Sequence, residues 1–204
     1  MYTLLKPLPI RAELLKRNLR VFTGQEFMRI FSVTTSVTKH LLETNTKDGF
    51  LLRLKRGVYA LGTDKPTEEE IANAMYRPSY LSFEYALAYY NLLPEMSYAI
   101  TSATTKPTRL FDVSGKVYSY RTIKKEAYTG YHIVKRENGY FYIAEKEKAI
   151  IDYLYFVPLR KAPLNDRLLD TIRHKSHKLK KGKMLTYAKL FANKELSHLI
   201  NTLV

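Results

Sequence analysis

Apolar residues in the N-terminal third recur at helical spacing and then switch to alternation, and the switch outlines a small module. Pro9 suits the first position of a helix, and Ile10, Leu14, Leu15 and Leu19 follow as one apolar stripe. A capping box predicts a second helix: Thr23 can accept an amide while Glu26, three residues on, reaches back to the Thr23 amide. Phe27, Ile30 and Phe31 form its expected buried face. Ser32 and Val33 read as a turn, and a third helix is predicted over 34–44. In it Val37 and Leu41 face inward, leaving Thr35, Ser36, Thr38 and Lys39 outward. Phe50, Leu52 and Leu54 then alternate with Leu51 and Arg53 in one strand, and Val58 to Leu61 form the return strand. Lys55-Arg56-Gly57 supplies the bend, where Gly tolerates a positive φ.

Helix, turn, helix and hairpin in that order outline a winged helix-turn-helix, a shape that fits a DNA major groove. Short polar side chains beside a Lys suit a helix lying in a groove, because bulk would hold the backbone off the bases. The expected DNA contacts are Thr34, Thr35, Ser36, Thr38 and Lys39 on the third helix, with Arg53, Lys55 and Arg56 on the hairpin. Two cations at a hairpin tip can reach phosphates or a minor groove. Taken alone, such a pair also reads as a solvated turn.

Gly62 to Pro66 reads as a linker, so the expected division is 1–62 for the winged helix and 67–204 for a second domain. Thr67 caps a helix whose first turn, Glu68-Glu69-Glu70, is where the helix dipole favours anions. Pro78 stops that helix. Ser82 caps the next, with Phe83, Ala86, Leu87 and Tyr90 on one face. From 97 to 143 the pattern is that of strands, with Ser114-Gly115 and Asn138-Gly139 as hairpin turns. Tyr118, Tyr120, Tyr131, Tyr140 and Tyr142 fall in this region at spacings of two. They form either half of a core or a surface that stacks bases or a partner. Residues 145–156 read as a helix with Ala149, Ile150, Tyr153, Leu154 and Val157 inward. Lys148 and Asp152 on it look like a helix-surface ion pair. The C-terminal segment is helical and basic, densest from Arg173 to Lys183, and serves as a phosphate contact, a docking surface or a solvated loop. The expected class is α+β: the winged helix-turn-helix, then a mixed α/β domain with antiparallel hairpins and a helical C-terminus.

Composition narrows the picture. At 204 residues with 46% hydrophobic and 13% aromatic side chains, the chain is a folded protein and not a basic tail. The absence of Cys removes disulfides, thiolate chemistry and Cys-based zinc sites, as suits a reducing cytosol. No signal-peptide run is apparent, and no stretch approaches the roughly 18 apolar residues of a membrane span. A soluble, cytoplasmic protein without a membrane partner is expected.

The net charge is +15, unevenly placed. Residues 1–62 carry 11 basic and 4 acidic side chains, residues 63–165 carry 14 and 12, and residues 166–204 carry 9 and 3. Basic ends around a nearly neutral middle fit contact with a polyanion at the ends, although Lys-rich surfaces also serve solubility.

Catalytic signatures are missing. There is no phosphate-binding Gly-rich loop, no H-E-x-x-H and no G-x-S-x-G. Ser114-Gly115 has the wrong order for a nucleotidyltransferase turn, and Glu145-Lys146-Glu147-Lys148 contains no nuclease-type E-x-K. His174 and His177 share a helical face but lack a neighbouring carboxylate for a metal. No enzyme activity, metal or cofactor is expected; the alternatives are a nucleic-acid-processing enzyme that docks through the winged helix and a stand-alone regulator or interaction module.

Three segments carry a resemblance: Leu54-Lys55-Arg56-Gly57-Val58-Tyr59, then Ile71-Ala72 with Pro78-Ser79-Tyr80-Leu81-Ser82-Phe83-Glu84-Tyr85-Ala86-Leu87, then Glu147-Lys148-Ala149-Ile150-Ile151-Asp152. In that order and spacing, over residues 20–156, the chain resembles the AbiEi family, antitoxins of bacterial abortive-infection toxin–antitoxin systems. The resemblance implies an N-terminal winged helix that binds and represses the operon's own promoter. It also implies a C-terminal domain that counteracts a nucleotidyltransferase-like toxin, indirectly and without a stable complex. Thr34 to Lys39 with Lys55 and Arg56 would then read DNA, and the Tyr80–Leu87 and Glu147–Asp152 segments would be mainly structural.

Overall fold

Pro7, not Pro9, takes the first position of helix α1 (Pro7–Lys16) in the computed structural model, which describes residues 5–93, 98–137, 139–174 and 179–203. The helix ends in a Schellman motif: Asn18 turns left-handed at φ 54°, while the Leu19 and Asn18 amides return to the Leu14 and Leu15 carbonyls. The chain divides into two compact units, one of residues up to Met75 with Lys135–Tyr140, the other of Tyr76–Val134 and the residues from Phe141 onward.

In the first unit β1 (Val21–Thr23) leads into α2 (Gly24–Phe31), α3 (Thr35–Lys47), β2 (Leu51–Lys55), β3 (Val58–Leu61) and α4 (Glu68–Met75). The three strands form a sheet ordered β1-β3-β2, antiparallel throughout. Thr23 and Glu26 make the expected reciprocal cap of α2. Ile10, Leu14, Phe22, Phe27, Leu41, Leu42, Leu51 and Leu61 close a core between the helices and the sheet. Gly62 packs so tightly that a Cβ there would lie 2.5 Å from the Gly49 carbonyl oxygen, which only glycine tolerates. Beyond this point the chain continues into α4 within the same unit.

The second unit is built on a six-stranded sheet of β4 (Ser79–Leu81), β5 (Ile100–Thr104), β6 (Arg109–Val113), β7 (Lys116–Thr122), β8 (Tyr131–Arg136) and β9 (Gly139–Ala144), ordered β6-β7-β5-β4-β9-β8, of which 135–136 and 139–140 are counted in the first unit. β6 and β7 form the hairpin expected at Ser114-Gly115, whose φ values of 52° and 81° are those of a type I′ turn. Asn138, in the other expected turn, lies outside the described residues. The sheet is mixed: β5 pairs with β7 and β4 with β9 in parallel. Helices α5 (Phe83–Tyr89), α6 (Lys146–Phe156), α7 (Asp166–His174), α8 (Lys181–Leu190) and α9 (Lys194–Leu203) complete the unit, α5 packing on β5 and α6, and α8 on α6.

One local expectation fails here for a physical reason. Ser82 precedes α5 but does not cap it; the capping acceptor is Thr101 of β5, which takes the Tyr85 amide at 3.1 Å and donates to the Ser82 carbonyl. A neighbouring strand supplies what the local sequence would normally supply. The tyrosines divide: Tyr118 and Tyr120 are buried in the core, while Tyr131 and Tyr140 are exposed.

Candidate nucleic-acid interface

α2 ends where Ser32 adopts φ 50° and the Val33 amide returns to the Met28 carbonyl. Thr34 then caps α3, its hydroxyl facing the Val37 amide at 3.4 Å. Two helices are thus joined by a turn with no residue to spare. Thr35 further ties them, its hydroxyl lying 3.6 Å from the Met28 sulfur. The α3 N-terminus carries no acidic residue in its first turn, so its dipole favours an anion.

Thr34, Thr35, Ser36 and Lys39 are exposed, as expected. Thr38 is not. Its side chain is buried and its hydroxyl donates to the Thr34 carbonyl at 2.8 Å. The inward face of α3 is wider than Val37 and Leu41 indicate, because Leu42 and Asn45 also turn in and rotate Thr38 with them. The exposed face instead continues through His40, Glu43 and Lys47, which the sequence reading passed over. Their i, i+3 and i+4 spacing from Ser36 and Lys39 was the available signal.

The hairpin turns at Arg56-Gly57, with Gly57 at φ 77° and open space around it. Arg56 and Arg53 are exposed and Lys55 is half-buried. Lys55 pairs with Val58 and Arg53 with Tyr59, with an irregularity between them at Leu54. The Gly57 carbonyl accepts the Gly24 amide at 3.2 Å, which fixes the hairpin tip against the start of α2. Every described cation of the candidate set therefore stands on a braced element of one unit.

Paired charges hold that unit together. Arg11 of α1 grips Asp64 in a bidentate contact, 2.6 Å to each oxygen, and this hydrogen bond keeps the Asp64 carboxyl below its usual range. Arg20 contacts both oxygens of Glu70 at 2.8 Å, and Glu70 also accepts the Thr67 amide. The glutamates of α4 are thus more than helix-end electrostatics: one of them anchors Arg20.

The densest polar chemistry in the second unit lies on α6, where the i, i+4 spacing predicts a surface pair. Lys148 and Asp152 are not on the helix surface; neither side chain is reached by solvent. Asp152 accepts from Lys148 on one oxygen, and from the Tyr80 hydroxyl at 2.9 Å and the Ser82 hydroxyl at 2.7 Å on the other. The Lys148 ammonium sits 4.8 Å from the Phe191 ring and 5.7 Å from the Tyr80 ring. Burial pushes the Lys148 pKa down against the opposing pull of Asp152. Burial and the facing carboxylate push Tyr80 well above the ordinary tyrosine range. The network ties β4 to α6.

The basic C-terminal run is docked where it is described. Glu147 accepts the Lys180 amide at 3.1 Å, and Glu145 holds Lys183 and accepts the Tyr187 hydroxyl at 2.7 Å. Residues 175–178, including His177 of the candidate metal pair, lie outside the described residues. Among the described residues no group of His, Asp and Glu side chains is arranged to hold a metal, and no helix is long and apolar enough to cross a membrane. The chain matches no protein-family model, and no curated protein matches it.

Proposed function

We propose that the first unit is a winged helix-turn-helix that binds duplex DNA, and that the protein is a non-enzymatic transcriptional repressor of the antitoxin type. The observation that carries this reading is the exposed N-terminal half of α3. There Thr35, Ser36 and Lys39 stand clear of the core on a helix locked to α2 by a tight turn. Side chains this short let a helix backbone approach base edges, while Lys39 and Arg56 reach for phosphates. The helix dipole and the net +7 charge of residues 1–62 supply attraction of the same sign. The likeness of the R-G-V-Y, P-S-Y-L-S and E-K-A-I-I-D segments to AbiEi antitoxins supports the finer reading. On that reading the chain represses its own promoter and counteracts a nucleotidyltransferase-like toxin without a stable complex.

The deciding experiment is a salt titration of binding to duplex DNA from upstream of the protein's own reading frame. Lys55→Ala/Arg56→Ala is expected to weaken binding to all sequences, each lost phosphate contact removing about 0.9 from the slope of log K against log salt. Lys39→Ala and Thr35→Ala are expected to change which sequence is preferred. Unchanged affinity, slope and preference across these variants would end the DNA-binding reading. For the antitoxin role, co-expression with a nucleotidyltransferase-like toxin encoded beside it should restore growth, and persistent toxicity would remove that role.

A further inference from the structure

We propose that the second unit carries a single-strand nucleic-acid site whose stacking platform is Tyr131 at the outer edge of the sheet. Tyr131 opens β8, the last strand in the order of the sheet. Its ring lies parallel on Tyr80, with centroids 4.7 Å apart and planes 16° apart. Tyr80 is fully buried and bonded to Asp152, so the ring beneath Tyr131 is fixed. Tyr128 and Tyr142 meet Tyr131 at a tilt and edge-on, with centroids 5.4 and 5.9 Å away, and hold it from the sides. Tyr131 nevertheless keeps 36% of its surface open. Tyr118 and Tyr120 on the same sheet are, by contrast, closed over. A rigid ring stacked below and open to solvent is the surface on which a base stacks, whatever its identity.

The net charge of the unit favours a polyanion over an apolar partner. Lys124 and Lys125, both exposed, lie one turn ahead of Tyr128, whose amide bonds the Lys125 carbonyl at 3.1 Å. The second unit also holds 20 Lys and Arg side chains against 10 Asp and Glu over 76–134 and 141–204, so its field attracts phosphates. The site belongs to a different unit from the candidate duplex-DNA surface and does not depend on it.

The test uses the full chain and fluorescein-labelled dodecamers of uridine and of thymidine, titrated by anisotropy at low salt. The wild type is expected to bind both, with the ratio of the two affinities telling RNA from DNA as the preferred strand. Tyr131→Ala should weaken binding about tenfold, and Tyr131→Phe, which keeps the ring face, should not. Lys124→Ala/Lys125→Ala, remote from the core, should lower the salt slope by about 1.4, since a single strand loses about 0.7 per phosphate contact. Binding should survive Lys55→Ala/Arg56→Ala. The proposal is overturned if the wild type binds neither strand, or if Lys124→Ala/Lys125→Ala and a folded Tyr131→Ala bind like the wild type. It is also overturned if the wing variant alone abolishes binding.

Discussion

Lys148 and Asp152 stand one turn apart on α6, both closed to solvent, the ammonium bonded to one carboxylate oxygen while Tyr80 and Ser82 occupy the other. A buried pair of this kind contributes little net stability over an apolar substitute, yet breaking it strands a charge. Asp152→Ala is therefore expected to cost about 3–5 kcal/mol in urea unfolding, and Lys148→Met/Asp152→Leu distinctly less than the sum of its single changes. Additive losses, or single losses under about 0.5 kcal/mol, would mean that the two groups are solvated and uncoupled.

Tyr80 makes the same network sensitive to alkali. An unfolded tyrosine titrates near pH 10, whereas burial and Asp152 hold Tyr80 protonated well beyond that. The folded state thus keeps a proton that the unfolded chain releases. Its stabilising contribution is complete below about pH 10 and falls as pH rises further, by about 1.4 kcal/mol per pH unit for each such group. Tyr90, Tyr120, Tyr128 and Tyr187 are raised as well, chiefly by burial, and steepen the loss. Tyr80→Phe should flatten the alkaline slope by one proton, read from urea midpoints between about pH 9.5 and 11. A slope equal to that of the wild type would place the Tyr80 hydroxyl in water.

What was legible in the sequence was local. Thr23 with Glu26, and Ser114 with Gly115, specify a cap and a turn within four residues, and both form as expected. Lys148 and Asp152 have the spacing of a surface pair, and nothing within α6 says that Tyr80, Ser82 and Phe191 will close over them. The same limit hid Thr101 as the cap of α5 and the parallel pairing of Leu81 with Ile143, which join residues far apart in the chain. For the candidate interface, the hairpin and the helix pair were readable from pattern. The rotation of α3 was not, because two of its four buried positions, Thr38 and Asn45, are polar, and only their i, i+3, i+4 and i+7 spacing with Leu41 and Leu42 marks that face as inward.

Arg20 and Glu70 join the start of β1 to α4 with each side chain only 11% exposed. Glu70 also closes the cap of α4 through the Thr67 amide. Glu70→Ala removes both and leaves the guanidinium without its carboxylate, for an expected loss of about 2–4 kcal/mol. Glu70→Gln keeps an acceptor for the Thr67 amide and should lose less. Thermal melting of the two variants separates these contributions, and equal stability to the wild type in both would show that the pair contributes nothing.

Thr38 and Lys39 are neighbours on α3 with opposite fates, and the contrast distinguishes a groove-reading helix from a merely basic one. Thr38 is buried with its hydroxyl committed to the Thr34 carbonyl, so Thr38→Ser, which keeps that bond, should leave DNA preference unchanged. Deleting the methyl should lower stability by about 1 kcal/mol at most. Lys39 is exposed beside Ser36 and Thr35, so Lys39→Ala should leave the melting temperature in place and alter binding. Competition binding with duplexes varied one base pair at a time measures both effects. If Lys39 contacts a base edge, preference at one position relaxes by about 1–3 kcal/mol. If it contacts phosphate, all sequences weaken alike and the salt slope falls by about 0.9. A Thr38→Ser protein with altered preference would turn α3 by one residue and move the reading face onto Thr38 and Leu42.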